Sequence, residues 1–164
     1  MTTEVIKSTA VSNADATPRV PNESFEDAGI VRASTGFVTV TSGKTTGSIY
    51  PIVRVPTNCR VISVRITNAA GSASSAFDVG VYAPNGGAAV SAALFGSAIA
   101  CTNANVDLDI TGESTTYTNA QRLKRLWDAA GASSDPGGSY DICLTSTATN
   151  AASFAVGLEV LWTL

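Results

Sequence analysis

The chain has 164 residues, about the length of one domain, and 45% of them are apolar while only 14% are charged. Ten basic and 13 acidic residues leave a net charge of −3, which withholds the positive field that non-specific nucleic-acid binding draws on. The sequence holds no histidine, and that absence removes Ser-His and Cys-His nucleophile pairs, an imidazole general base and His-ligated metal centres.

Residues 1–29 hold seven charges (Glu4, Lys7, Asp15, Arg19, Glu23, Glu26, Asp27) against 16 in all the rest. This segment is polar, contains Pro18 and Pro21 and has no sustained period, so it reads as an extended N-terminal arm ahead of a domain over 30–164. Two readings stay open for the arm: a frayed terminus, or a strap that orders on a neighbouring subunit.

From Ile30 onward the apolar period is two, β-branched residues abound, and Gly, Pro and Asn interrupt the pattern every ten residues or so. Ile30 to Thr41 reads as a strand that includes Phe37, and "TSGKTTG" as a hairpin turn into "SIYPIVRV", where Pro51 predicts a sheet edge or bulge. In "CRVISVRIT" strict alternation sets Arg60, Ile62, Val64 and Ile66 on one face and Cys59, Val61, Ser63, Arg65 and Thr67 on the other. "AFDVGVYA" puts Phe77, Val79 and Val81 inward, and "PNGG" closes that strand with turn chemistry. The Ala-rich stretch 88–105 fits either a short strand or a short helix. "VDLDIT" alternates Val106, Leu108 and Ile110 against an outer face bearing Asp107 and Asp109. One helix is expected next, with Thr118 and Gln121 as a capping box, an apolar stripe of Leu123, Leu126, Trp127 and Ala130, and Gly131 as its stop. Tyr140, Ile142 and Leu144, then Phe154, Val156, Leu158, Val160 and Trp162, mark two final strands expected to form a hairpin. The sum is an all-β protein: an antiparallel β-sandwich, jelly-roll-like, with one short α-helix and the extended arm.

Little in the chain points to chemistry. Cys59, Cys101 and Cys143 lie 42 residues apart in each case with no C-x-x-C pair, and read as buried free thiols of a reducing compartment. The stretch 1–20 shows no apolar signal core and no run approaches a membrane span, so synthesis in the cytosol is expected. Asp107 and Asp109 could ligate calcium or act as a glycosidase pair, but D-x-D recurs by chance and no EF-hand loop follows, so a solvated strand face is the expectation. Asp78, Asp141 and Glu159 are expected as surface charges. Arg122, Lys124 and Arg125 form a small basic patch, with Lys124 and Asp128 spaced for an i,i+4 pair. The last strand is apolar on both sides, Leu161 opposite Trp162, which suggests that its second face is covered. The residues these features offer to a partner are Val20, Pro21 and Phe25 in the arm, Arg122 and Arg125 on the helix, and Leu161 on the last strand. No catalytic, cofactor-binding or metal-binding residue is expected.

The phrases "YPIVRVPTNCRVISVRITNAAG", "FDVGVYAPNGG", "LFGSAIA", "QRLKRLWDAAGASSDPGGSYDICLTST" and "FAVGLEVLW" together resemble small structural proteins of tailed bacteriophages, over roughly residues 48–164. The resemblance implies a virion protein similar to head decoration or cement proteins, bound outside the major capsid protein shell as a homotrimer, with no cofactor or active site; from charge and hydropathy no membrane or nucleic-acid partner is expected. Rival readings are a receptor- or glycan-binding tip using Tyr50, Tyr82 and Tyr117, a tail or neck structural protein, and a glycan-cleaving enzyme built on Asp107 and Asp109.

Overall fold

A computed structural model describes residues 7–18, 20–21 and 29–164. Eight strands follow in chain order: β1 (Arg32–Val40), β2 (Ile49–Pro56), β3 (Arg60–Asn68), β4 (Ala76–Tyr82), β5 (Ala89–Ala100), β6 (Asn105–Asp109), β7 (Ser139–Ser146) and β8 (Phe154–Thr163). They form two four-stranded antiparallel sheets, β1-β8-β3-β6 and β2-β7-β4-β5. The interleaved order is that of a jelly roll, the sandwich that the period-two pattern predicts.

The core fills the space between the sheets. Phe77, Val79 and Val81 of β4, Tyr140, Ile142 and Leu144 of β7, and Phe154, Val156, Leu158, Val160 and Trp162 of β8 are all buried, on the faces that alternation assigns them. Phe77 packs edge-on to Tyr50 and tilted against Phe154, with ring centroids 6.1 Å apart in both pairs. Pro51 meets both expectations, since β2 borders its sheet and carries a bulge between Pro51 and Val53. At "PNGG" the positive φ of Asn85 and Gly86 closes β4 onto β5. The undecided stretch 88–105 is strand over most of its length.

Five expectations are corrected. The last two strands do not pair: β7 lies between β2 and β4, and β8 between β1 and β3. Their apolar faces look at one core from opposite sides, so 147–153 crosses between the sheets. "TSGKTTG" is likewise a crossing and not a hairpin, and the two crossings are tied by a bridge at Lys44 and Asn150, with the Gly43 amide donating to the Asn150 carbonyl at 2.7 Å. In β3, strict alternation fails because a bulge between Val61 and Ser63 absorbs Ile62, so that Cys59 and Val61 as well as Val64 and Ile66 point inward.

The fourth correction is the helix, which exists only as two single turns, α2 (Asn119–Arg122) and α3 (Leu126–Ala129). Arg125 between them is extended, and the Leu126 and Trp127 amides bond to the Cys59 and Thr57 carbonyls at 2.7 and 3.1 Å. Those carbonyls replace the preceding helical turn as partners, and the Thr118 side chain makes no cap bond. The arm supplies the fifth. Its residues Thr9–Asp15 form a helix, α1, with the Ser8 hydroxyl accepting from the Val11 amide, and are not extended.

Close backbone approaches depend on glycine. A Cβ on Gly80 would lie 2.1 Å from the Ser91 carbonyl oxygen, where β5 crosses the outer side of β4. Gly80→Ala is expected to cost roughly 1–3 kcal/mol by overpacking, lowering the thermal midpoint by about 2–4 °C per kcal/mol in a chain of this size. Gly112→Ala, with nothing within 4 Å, is the matched control and leaves the midpoint nearly unchanged. All three cysteines are buried free thiols, and burial pushes them up, Cys59 to about 12, Cys101 to about 11 and Cys143 to about 12. At pH 8 a thiol reagent is expected to titrate none in the native protein and all three in denaturant.

Candidate functional site

The outer face of the β1-β8-β3-β6 sheet carries an exposed aromatic ring. Along β1 the odd residues Ala33, Thr35, Phe37 and Thr39 point away from the core, and Phe37 is 84% exposed. Phe37 sits opposite Gly157 of β8, which in turn faces Thr67 of β3. Because Gly157 has no side chain, its place is the floor of a groove of about 310 Å³ between Phe37, Thr67, Ala69, Asp107 and Ala155. A Cβ on Gly157 would rise to within 2.8 Å of the Gly36 carbonyl oxygen and 3.0 Å of the Phe37 Cβ.

Charge gathers on the side of this face away from β1. The Arg65 guanidinium donates to Asp107 at 2.7 Å, and Glu159 stands opposite Arg65 in register. Asp109 accepts from the Thr111 hydroxyl and, at 2.9 Å, from its amide. Burial pushes Asp109 up, but those hydrogen bonds, with Arg122 and Arg65 nearby, outweigh it and hold the carboxyl below its ordinary 3.8. The two aspartates thus answer to different partners. Among the described residues no group of three or more Cys, Asp or Glu side chains could hold a metal ion.

Sequence-predicted partner residues fall in separate places. Val20 and Pro21 are exposed, whereas Phe25 lies outside the described residues. Leu161 is half-buried on the outer side of β8, between Ala33 and Ser63. Arg125 donates to the Asn58 carbonyl at 2.8 Å, and Arg60 beside it donates to the Leu123 carbonyl at 3.0 Å. These bonds pin the α2–α3 block to the end of the sheet where β3 begins, and β8 runs past that end at Leu161–Thr163. Leu161, Arg122 and Arg125 are therefore brought to one end, and the arm residues are not. Lys124 and Asp128 form the expected pair at 3.3 Å.

The other sheet is closed off. Asp141, read as a surface charge, is 5% exposed: Arg54 donates to its two oxygens at 2.6 and 2.9 Å, and a covered strand face leaves no other route to satisfy the carboxylate. Tyr117 is buried in the core and donates to the Val61 carbonyl at 2.7 Å, Tyr50 packs edge-on against Phe77, and Tyr82 is buried on the outer side of its sheet against the Thr145 hydroxyl, so none of the three rings offered to a glycan stands free. Sequence reasoning overlooked the Phe37 groove, although the alternation of Ala33, Thr35, Phe37 and Thr39 against Ser34, Gly36, Val38 and Val40 carried the signal.

No family model matches the chain, and no curated protein matches it. Among solved structures, a chain of the cyanophage Pam1 capsid asymmetric unit is similar, with a TM-score of 0.53 at 16% identity over 83% of this chain and 86% of that one. The two share a fold. A chain of the acid-stable capsid of Helicobacter pylori bacteriophage KHP30 gives a TM-score of 0.39 at 13% identity, covering 82% of this chain and 88% of that one.

Asp135 is also held below its ordinary 3.8, chiefly by the Thr57 hydroxyl at 2.6 Å and the Gly137 amide at 2.9 Å. A carboxyl lowered by folding stabilises above its unfolded value, and the contribution is lost as pH falls through the folded one. The thermal midpoint is therefore expected to hold from about pH 7 to 5 and to drop below about pH 4. Asp135→Asn and Asp109→Asn each flatten the drop, which a thermal melt series over pH reads directly.

Proposed function

We propose that the chain is a structural component of a bacteriophage virion, bound to the outside of the assembled head as a decoration or cement protein. The observation that carries this reading is the jelly roll shared along most of both chains with a chain of the Pam1 capsid asymmetric unit. Three features of the molecule support it. Its thiols are buried, its two strand aspartates are engaged by Arg65 and Thr111, and its surface keeps apolar side chains such as Phe37 and Val106 exposed for contact. No catalytic turnover belongs to this role.

The mechanism is mass action. A protein that binds the assembled lattice but not its loose subunits stabilises the lattice in proportion to its affinity and free concentration. Copies joined in the homotrimer that the resemblance implies add avidity without new contacts, because release requires all of them to let go together. The major capsid protein is the partner on this reading, and the bacterial cytoplasm is the place of synthesis.

One observation favours a second reading. Phe37 beside Asp107 and Glu159 is an aromatic platform flanked by carboxylates, an arrangement that also suits a sugar ring. The test takes mature-form empty heads assembled without the protein, adds the full chain, and measures co-sedimentation and the temperature at which the heads rupture. Saturable binding with a raised rupture temperature is expected, and a chain lacking residues 1–29 shows whether the arm contributes. Absence of head binding, together with binding on a glycan array, would replace the cement reading with the glycan-binding one.

A further inference from the structure

The borders of the two sheets are β1, β6, β2 and β5. A border strand presents a row of unpaired main-chain groups, and soluble proteins blunt it with proline, charge, bulges or brevity. Three of the borders carry such devices. β2 has Pro51, Arg54, Pro56 and a bulge; β5 shifts register against β4 three times; β6 has five residues, two aspartates and a positive φ at Asp107. β1 carries none of them beyond one charge at its start. It runs nine residues against β8 without a register shift, has no proline, and bears a single charge, Arg32, at its first position. Among the described residues β8 is its only ladder partner. Exposed apolar side chains cluster on the same strand and its approach: Phe37 at 84%, Ile30 at 77% and Val31 at 54%.

We propose that the free border of β1 is a strand-addition site whose occupant is β1 of a second copy, paired antiparallel about a two-fold axis, so that the two four-stranded sheets become one. Charge selects this occupant. With Arg32 as the only charge, antiparallel pairing sets the two guanidinium groups at opposite ends of the paired ladder, about 20 Å apart when it is centred on Thr35, whereas parallel pairing would set them side by side. The arm is a poorer occupant, because Glu23, Glu26 and Asp27 would come to a border whose neighbouring strand already presents Glu159 on its outer face. Side-chain size agrees as well. A register centred on Thr35 puts each Phe37 opposite the partner's Ala33, large against small, and Thr35 opposite Thr35. Each partner supplies to the other what it receives, as a two-fold contact requires. The pairing is independent of any binding to heads, so loss of the cement reading would leave it standing.

The experiment measures amide hydrogen exchange and native mass on the full chain in solution, without heads, beside a Thr35→Lys/Phe37→Lys double variant. Both positions are exposed, and a thermal melt confirms that the variant is folded. In the wild type the border-side amides of 33–39 are expected to exchange roughly tenfold or more slowly than in the variant. The wild-type mass is expected to be twice that of the variant, whatever unit the variant forms. Equal masses, or amides that exchange equally fast in both proteins, would overturn the pairing. Protection that vanishes on removing residues 1–29 would also overturn it, by putting the arm on the border.

Discussion

Everything in this molecule depends on two apolar sheet faces meeting across one core. Strands with a buried apolar side, such as β3, β4, β7 and β8, cannot satisfy themselves within a single sheet, so the chain passes repeatedly from one sheet to the other. Val64 and Ile66 of β3 and Leu158 and Val160 of β8 look across at Phe77 and Val79 of β4 and Ile142 and Leu144 of β7, and all eight are buried. The crossings are secured by polar clasps. Asn150 ties the β7–β8 crossing to the β1–β2 crossing, and Asn68 donates to the carbonyls of Ala69 and Asn103, fastening the β5–β6 connection to the end of β3.

Close packing of this kind explains which surfaces are left for partners. The outer side of the β2-β7-β4-β5 sheet is occupied by its own parts: Tyr82 reaches Thr145, Arg54 covers Asp141, and β5 lies against Gly80. On the opposite sheet β1 and β8 present Ala33, Thr35, Phe37, Ala155 and Gly157, a strip with one protruding ring and Glu159 as the charge beside it. That asymmetry gives the molecule a finished side and an unfinished one.

The sequence told as much as period-two alternation can tell. It assigned the inward faces of β4, β7 and β8, because each of those strands keeps its phase from end to end. In β3 the phase changes at Ile62, and a bulge adds a residue without leaving a compositional mark, so alternation alone set Cys59 and Val61 on the wrong side of Val64 and Ile66. Pairing between strands was illegible for a related reason: neighbours in the chain are read as hairpins, yet β7 and β8 obey the same alternation whether they pair or face each other. The helix expected around Leu126 failed through a tertiary override, since the Cys59 and Thr57 carbonyls take the amides that a continuous helix would have used. Of the candidate partner residues, Leu161, Arg122 and Arg125 gather at one end of the sheet, while Phe37 escaped notice because a lone aromatic among threonines looks like ordinary strand composition.

The chemistry-poor interior, the two-sheet body and the exposed strip along β1 fit a molecule whose work is to be held by its neighbours. The most direct measurement of that claim is an electron cryomicroscopy reconstruction of the intact particle. A jelly-roll density is expected on the outer surface of the head, repeated with the lattice and touching more than one shell subunit. Density for the chain confined to a tail or fibre, or its absence from the particle altogether, would contradict it.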